Sequence, residues 1–182
     1  MKRNYTNIIL AVSLILIAAF ARIANREMHL YNLAPIAAIG LFSGAILKDK
    51  RFAYIIPLLA MLIADTYFQL FTRVQGFYGQ EQWFVYGGMI LVTLLGTKMG
   101  KISGLKVVGF SLTGSAVFFI VSNFGSFLSG MWGTGFDALV TTYTMALPFF
   151  RNTVAGDLLG SVLLFSAYFL VQRSFSTHTE KA

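Results

Sequence analysis

ALPFFRNTVAGDLLGSVLLF, residues 146–165, is the stretch on which the reading of the chain turns. An aromatic doublet and Pro148 end one segment, Arg151 and Asn152 follow, and a long apolar run begins with Asp157 several residues inside it. A carboxylate within a membrane span is costly, so by default it faces protein or water and marks a functional position. The rest of the sequence is read by asking which segments meet Asp157.

The composition supports a membrane setting. Of 182 residues, 57% are hydrophobic and only 12% charged, with a mean hydropathy of +0.71. A soluble domain carries about a quarter charged residues. The apolar residues also fall in long runs, which describes a polytopic, all-α membrane protein. A net charge of +7 does not point to nucleic acid, because the basic residues sit in short loops between apolar runs, where they set topology. The absence of cysteine removes disulfides, thiolate metal sites and cysteine nucleophiles. His29 and His178 are the only histidines, too few to build a histidine metal site, and no metal or cofactor is expected.

Six spans are predicted, over about residues 6–24, 34–47, 52–72, 83–97, 107–129 and 152–172. They form one transmembrane domain, 1–173, followed by a soluble tail, 174–182. Lys2, Arg3 and Ala19-Phe20-Ala21 also fit a secretory signal with a cleavage site, but the later spans alternate correctly only if the first helix stays. The second run is short and rich in small side chains. Ala34 and Ala38, and Gly40 and Gly44, are each four apart, a spacing that permits close helix contact, either inside the bundle or with a partner. The segment GMWGTGFDALVTTYTMALPFF, 130–150, is polar and glycine-rich and reads as a re-entrant or interfacial loop.

With six spans both termini share one side. That side takes Lys2, Arg3, Lys48, Lys50, Arg51, Lys98, Lys101, Lys106, Arg173 and Lys181, ten of the 14 basic residues. The opposite side keeps Arg22, Arg26, Arg73 and Arg151. The positive-inside rule therefore places both termini in the cytoplasm. At 1.5 Å per residue, Asp65, Asn123 and Asp157 each fall about 8–10 Å below the outer end of their predicted helix, with Arg22 just above.

This coincidence predicts a polar layer in the outer leaflet that lines an outward-facing pocket. Arg22, Asp65, Arg151 and Asp157 would meet charge or hydrogen bonds on a ligand, joined by Gln69, one helical turn from Asp65, and by Asn152. Asn123 would donate and accept, while Trp83, Tyr86, Trp132 and Phe149 would wall the pocket. A structural reading stands beside this one: Asp65 and Asp157 pair with Arg22 and Arg151 simply to hold the helices, as buried charges require partners. Likewise, Trp83 and Trp132 fit an interfacial belt as well as a pocket wall.

YNLAPIAAIGLFSGA (31–45), PLLAMLIAD (57–65), WFVYGG (83–88), SNFGSFLSGMW (122–132) and YTMALPFFRNTVAGDLLG (143–160) together resemble an uncharacterised bacterial membrane family of transport type. That family is similar to the S components of energy-coupling-factor (ECF) vitamin transporters. The resemblance implies a multi-pass protein of the bacterial cytoplasmic membrane. It would bind a vitamin-like or precursor-like small molecule from outside and deliver it inward, moved by an ATP-driven coupling module. Such modules dock on small-residue faces. The first helix lacks an A-x-x-x-A motif, and Ala34, Ala38, Gly40 and Gly44 are the nearest equivalents. No Walker motif is present, so the chain itself is not expected to hydrolyse ATP. Two other functions compete. One is a non-catalytic assembly or scaffold protein whose polar layer fixes helix register. The other is an intramembrane enzyme using two carboxylates, disfavoured because no histidine lies nearby and no G-x-S-x-G motif occurs.

Overall fold

The computed structural model describes residues 2–28, 33–77 and 79–179, without the side chains of residues 2–7, 18–19, 26–27 and 175–179. His29, Tyr31, Asn32 and Tyr78 lie outside the described residues. Six α-helices follow one another: α1 (Lys2–Glu27), α2 (Ile36–Ile46), α3 (Lys50–Phe71), α4 (Glu81–Thr97), α5 (Gly104–Leu128) and α6 (Phe136–Thr179).

The arrangement is a ring around a hub. Helix α2 touches every other helix, and the others contact in the closed order α1, α3, α4, α5, α6 and back to α1. The sequence of α2, IAAIGLFSGAI, explains its place: it has no charge and no polar face, and eight of its eleven residues are buried. A helix apolar all round has no side to offer to water and goes to the centre. Its glycines let α4 approach at backbone distance. A Cβ on Gly44 would overlap the Thr93 carbonyl, and one on Gly96 of α4 would overlap the Leu41 carbonyl. On the other flank, Gly156 and Gly160 of α6 lie against Leu33 and Pro35. Ala38 and Leu41 are fully buried, as is Phe42, which meets Phe165 and Tyr168 edge-on. Ala38, Gly40 and Gly44 are therefore packed inside the bundle, while Ala34 precedes the helix and is half-buried.

Hydrogen bonds pin the C-terminal end of α2. The Ser43 hydroxyl donates to the Ala53 carbonyl at 2.6 Å. Lys50 Nζ reaches the carbonyls of Gly44 and Leu47, each at 3.4 Å. In the same tight turn, Asp49 caps α3 by accepting from the Arg51 N–H at 2.9 Å.

Among the described residues, four helices are long and apolar enough to cross a membrane: residues 8–25 of α1, α3, α5 and residues 136–174 of α6. These segments make the chain a membrane protein. Helix α2 differs from the expected second span: its eleven residues rise only about 16 Å, roughly half the hydrocarbon thickness. Helix α4 has 17 residues.

The largest departure from the sequence reading is α6. The segment expected to form a loop before residue 152 is helical from Phe136 onward, and the same helix runs through Pro148 into the expected soluble tail. Gly130, Gly133 and Gly135, all at positive φ, make the turn that precedes it. The threonines that made the segment look polar satisfy themselves within the helix. Thr141 and Thr142 each donate to the carbonyl four residues back, both at 2.8 Å, and Thr144 donates to Val140. A hydroxyl bonded in this way is no obstacle to a helix.

The packing of α2 makes a direct prediction. Gly44→Ala should destabilise the protein by about 1–3 kcal/mol or more, since the new methyl meets fixed backbone. Gly87→Ala, whose Cβ would meet nothing within 4 Å, should be neutral or stabilising by up to about 1 kcal/mol. Thermal unfolding in detergent would read both. Equal behaviour of the two variants would contradict the close α2–α4 contact.

Candidate functional site

Two buried polar clusters emerge where one continuous layer was expected. The first centres on Asp65 of α3, which is fully buried. Its Oδ1 accepts from Arg22 Nη1 of α1 at 2.5 Å. Its Oδ2 accepts from Gln82 Nε2 at 2.8 Å and from the Tyr86 hydroxyl at 3.0 Å, both on α4. The Arg22 guanidinium also lies over the Phe68 ring, 5.4 Å from its centroid. The loop after α3 folds back on this cluster. The Gly76 N–H donates to Gln69 Oε1 at 3.1 Å, and Gly76 is so close to the Asp65 carbonyl that a Cβ would overlap it.

The second cluster centres on Asp157 of α6, also fully buried. Its Oδ1 accepts from the main-chain N–H groups of Ala37 and Ala38 at 2.9 and 3.2 Å. Its Oδ2 accepts from the Ser115 hydroxyl of α5 at 2.8 Å. Behind it, the Ser161 hydroxyl donates to Ser111 Oγ at 3.1 Å. The need for this contact lies in the start of α2: Pro35 occupies the N-cap and supplies no side-chain cap. The first N–H groups of a helix have no partner inside it, and in a dry core each unpaired group costs about 1–3 kcal/mol. Asp157 supplies the missing acceptor from another helix.

The expected common depth does not hold. Ser115 is the twelfth of the 25 residues of α5, so Asp157 lies level with the middle of that helix. Asn123 is eight residues further along α5, about 12 Å away along the axis. Asp65 is six residues from the end of α3, or about 9 Å. The depth expected for Asp157 assumes a helix start at Asn152, whereas α6 starts at Phe136. Nor do α3 and α6 touch among the described residues.

The ion-pair expectation is met on one side only. Arg22 does pair with Asp65, but Arg151 is exposed and takes no part in the bonds to Asp157. Six residues separate Arg151 from Asp157, a rotation of about 240° that points the two side chains to different faces of α6. Trp83 (77% exposed), Trp132 and Phe149 face outward. Asn152 is at the surface, as is Gln69, although Gln69 touches the Asp65 region through Gly76. The Asn123 amide donates to the Phe119 carbonyl of its own helix at 2.8 Å.

Gln82, Ser111 and Ser115 are partners that the expected layer lacked. Gln82 was legible, since Gln82 and Tyr86 are four apart on one helical face, but the fourth span was begun one residue too late to include it. No buried side-chain nitrogen or oxygen among the described residues lacks a partner. Each oxygen of both carboxyl groups thus has a partner within the fold.

A family match covers residues 2–179. The chain belongs to the family of unknown function DUF6580. No curated protein and no solved structure matches it. What the two clusters do in this DUF6580 protein is therefore argued from their chemistry.

That chemistry is first structural. Asp157→Ala should cost several kcal/mol, because two main-chain N–H groups and one hydroxyl lose their acceptor. Asp157→Asn should cost far less, since one oxygen can still accept from α2 and Ser115 can rotate to accept from the amide. Thermal unfolding distinguishes the two, and an equally damaging Asn variant would show that the contact to α2 is not the main role. For the other cluster, Asp65→Asn and Arg22→Met should each destabilise by about 3–5 kcal/mol. Their double variant should lose less than the sum, with a coupling of about 0.5–3 kcal/mol. Strict additivity would sink the pair as a unit.

Proposed function

We propose that this chain is a non-catalytic membrane transport protein that takes up a small, partly planar molecule. In this reading it crosses the bacterial cytoplasmic membrane six times, with both termini in the cytoplasm, in the manner of an ECF-type S component. The single observation that carries the proposal is the position of α2. It is the central helix, it is only eleven residues long, and its N-terminus is held level with the middle of α5 through Asp157 and Ser115. A short helix that ends at mid-membrane inside a bundle is the feature that transport proteins use to form a site at that depth.

Just before α2, Leu33 and Pro35 lie against Gly156 and Gly160 of α6. The aromatic side chains that α5 and α6 bring together carry chemistry suited to a ligand with a flat face. The Phe119 ring of α5 lies tilted against Phe150 of α6, with centroids 4.5 Å apart, and meets Tyr143 edge-on at 5.8 Å. Tyr86, Gln82 and Asn123 supply polar edges on α4 and α5. Asp65 and Asp157 hold the surrounding helices, with their bonds already made. The glycines and alanines of α2 are used inside the bundle, so a coupling partner docks on another face.

One observation favours the scaffold reading: every oxygen of both carboxyl groups already has a hydrogen-bond partner within the fold. The discriminating variant is therefore one outside the frame. Asn123→Leu removes an amide bonded only to its own helix, so the protein should stay folded. Mass spectrometry of small molecules retained by detergent-purified protein should find a compound in the wild type and at least a tenfold loss in Asn123→Leu at unchanged melting temperature. No retained compound and no thermal shift across a panel of vitamins and precursors would favour the scaffold.

A further inference from the structure

The two buried carboxyl groups differ in one respect. Asp65 has a cation, Arg22, on its Oδ1, whereas each group bonded to Asp157 is neutral: the N–H groups of Ala37 and Ala38 and the Ser115 hydroxyl. No charge faces Asp157 from the helices packed against α6. Helix α2 has no titratable residue. On α5 there is Lys106 alone, which lies nine residues from Ser115, about 13 Å along the axis, and donates to the Met99 carbonyl at 3.1 Å. On α1, among the described side chains, Arg22 is the one charged group, and it is committed to Asp65. On α6 itself, Arg151 is exposed on another face, Tyr168 is eleven residues away, and Asp137, Tyr143 and Arg173 are farther along the helix. Acids inside membrane bundles are the groups from which proton relays are built.

The Ser115 hydroxyl stands between two acceptors. Its Oγ lies 2.8 Å from Asp157 Oδ2 and 3.0 Å from the Ser111 carbonyl, yet a hydroxyl has one proton to give. With a proton on Oδ2, the carboxyl group donates to Ser115 Oγ and the hydroxyl donates to the Ser111 carbonyl. With that proton gone, the hydroxyl turns and donates to Oδ2. In both forms Oδ1 keeps the two N–H groups of α2. The carboxyl group can gain or lose a proton without unseating the central helix. One turn along both helices, the Ser161 hydroxyl donates to Ser111 Oγ at 3.1 Å. One turn further, Val107 and Phe165 line a cavity of about 680 Å³ between α5 and α6, which reaches Ser103 and Ser166.

We propose that Asp157 is a proton-binding site, with Ser115 as the hydroxyl that switches between its two forms. Ser111, Ser161 and the cavity beyond them lead from it towards the end of the bundle opposite Asp65. The step moves one proton and nothing else. The O–H bond at Oδ2 breaks, the proton leaves past the serine hydroxyls to solvent, and the carboxyl group keeps one negative charge. The site rests on this geometry alone and holds whether or not the chain transports anything.

The test is infrared difference spectroscopy of the full chain in detergent, with the pH stepped across the range in which the protein stays folded. The wild type should show the C=O stretch of a protonated carboxyl group, shifted on exchange into D₂O and lost as the pH rises. Asp157→Asn should lack that band. Ser115→Ala should shift its frequency, because the carboxyl group loses its hydroxyl partner, and this identifies the band should the Asn variant fail to fold. Surface carboxyl groups give such bands in acid too, but neither substitution touches them. A wild-type spectrum with no band that depends on Asp157 at any pH in the range would overturn the proposal. So would a band that Asp157→Asn retains or that Ser115→Ala leaves unshifted.

Discussion

The contact between the Asp157 carboxyl group and the first N–H groups of α2 is the constraint on which the rest of the bundle depends. A helix surrounded on all sides by other helices has no water at its end, and its N-terminal donors must find acceptors in protein. The chain begins α2 with proline, which removes one donor but supplies no cap. An acceptor from outside is then required, and α6 delivers it with Gly156 and Gly160 clearing the way for Leu33 and Pro35. The same carboxyl group takes the Ser115 hydroxyl, so one side chain fixes the relative heights of α2, α5 and α6. The Asp65 cluster does the corresponding work for α1, α3 and α4. Between them the two carboxylates tie together all six helices without sharing a partner.

Much of this was legible in the residues. A carboxylate deep in an apolar run must be partnered, so Asp65 and Asp157 stood out, and Arg22 was named as the partner that Asp65 does take. The small residues of α2 pointed to close contact, though not to contact with which neighbour. Helical character throughout and the membrane setting followed from long apolar runs. The partner of Asp157 was not legible, because it is main chain, and no side-chain pattern announces an N–H group 120 residues away.

The boundaries of α6 were hidden for a different reason. Threonine-rich sequence looks polar when counted residue by residue, yet each hydroxyl here returns to a carbonyl in the preceding turn. Moving the start of the helix by sixteen residues then changed every depth measured from it, and the single polar layer separated into two. The surface positions of Trp83, Trp132 and Phe149 had the same origin. An aromatic residue near a predicted helix end fits a pocket wall and an interfacial belt equally well until the rotation of its helix is known.

The order in which the chain is made gives the Asp157 contact a further meaning. Helix α2 leaves the ribosome early, is too short to cross a bilayer on its own and carries uncapped donors. Its cap is encoded near the other end of the chain. Until α6 arrives, the N–H groups of Ala37 and Ala38 lack the acceptor that the finished protein gives them, so α2 is unsuited to lipid as an independent segment. Insertion into its central position is thus coupled to the arrival of α6, which seals the first turn of the innermost helix.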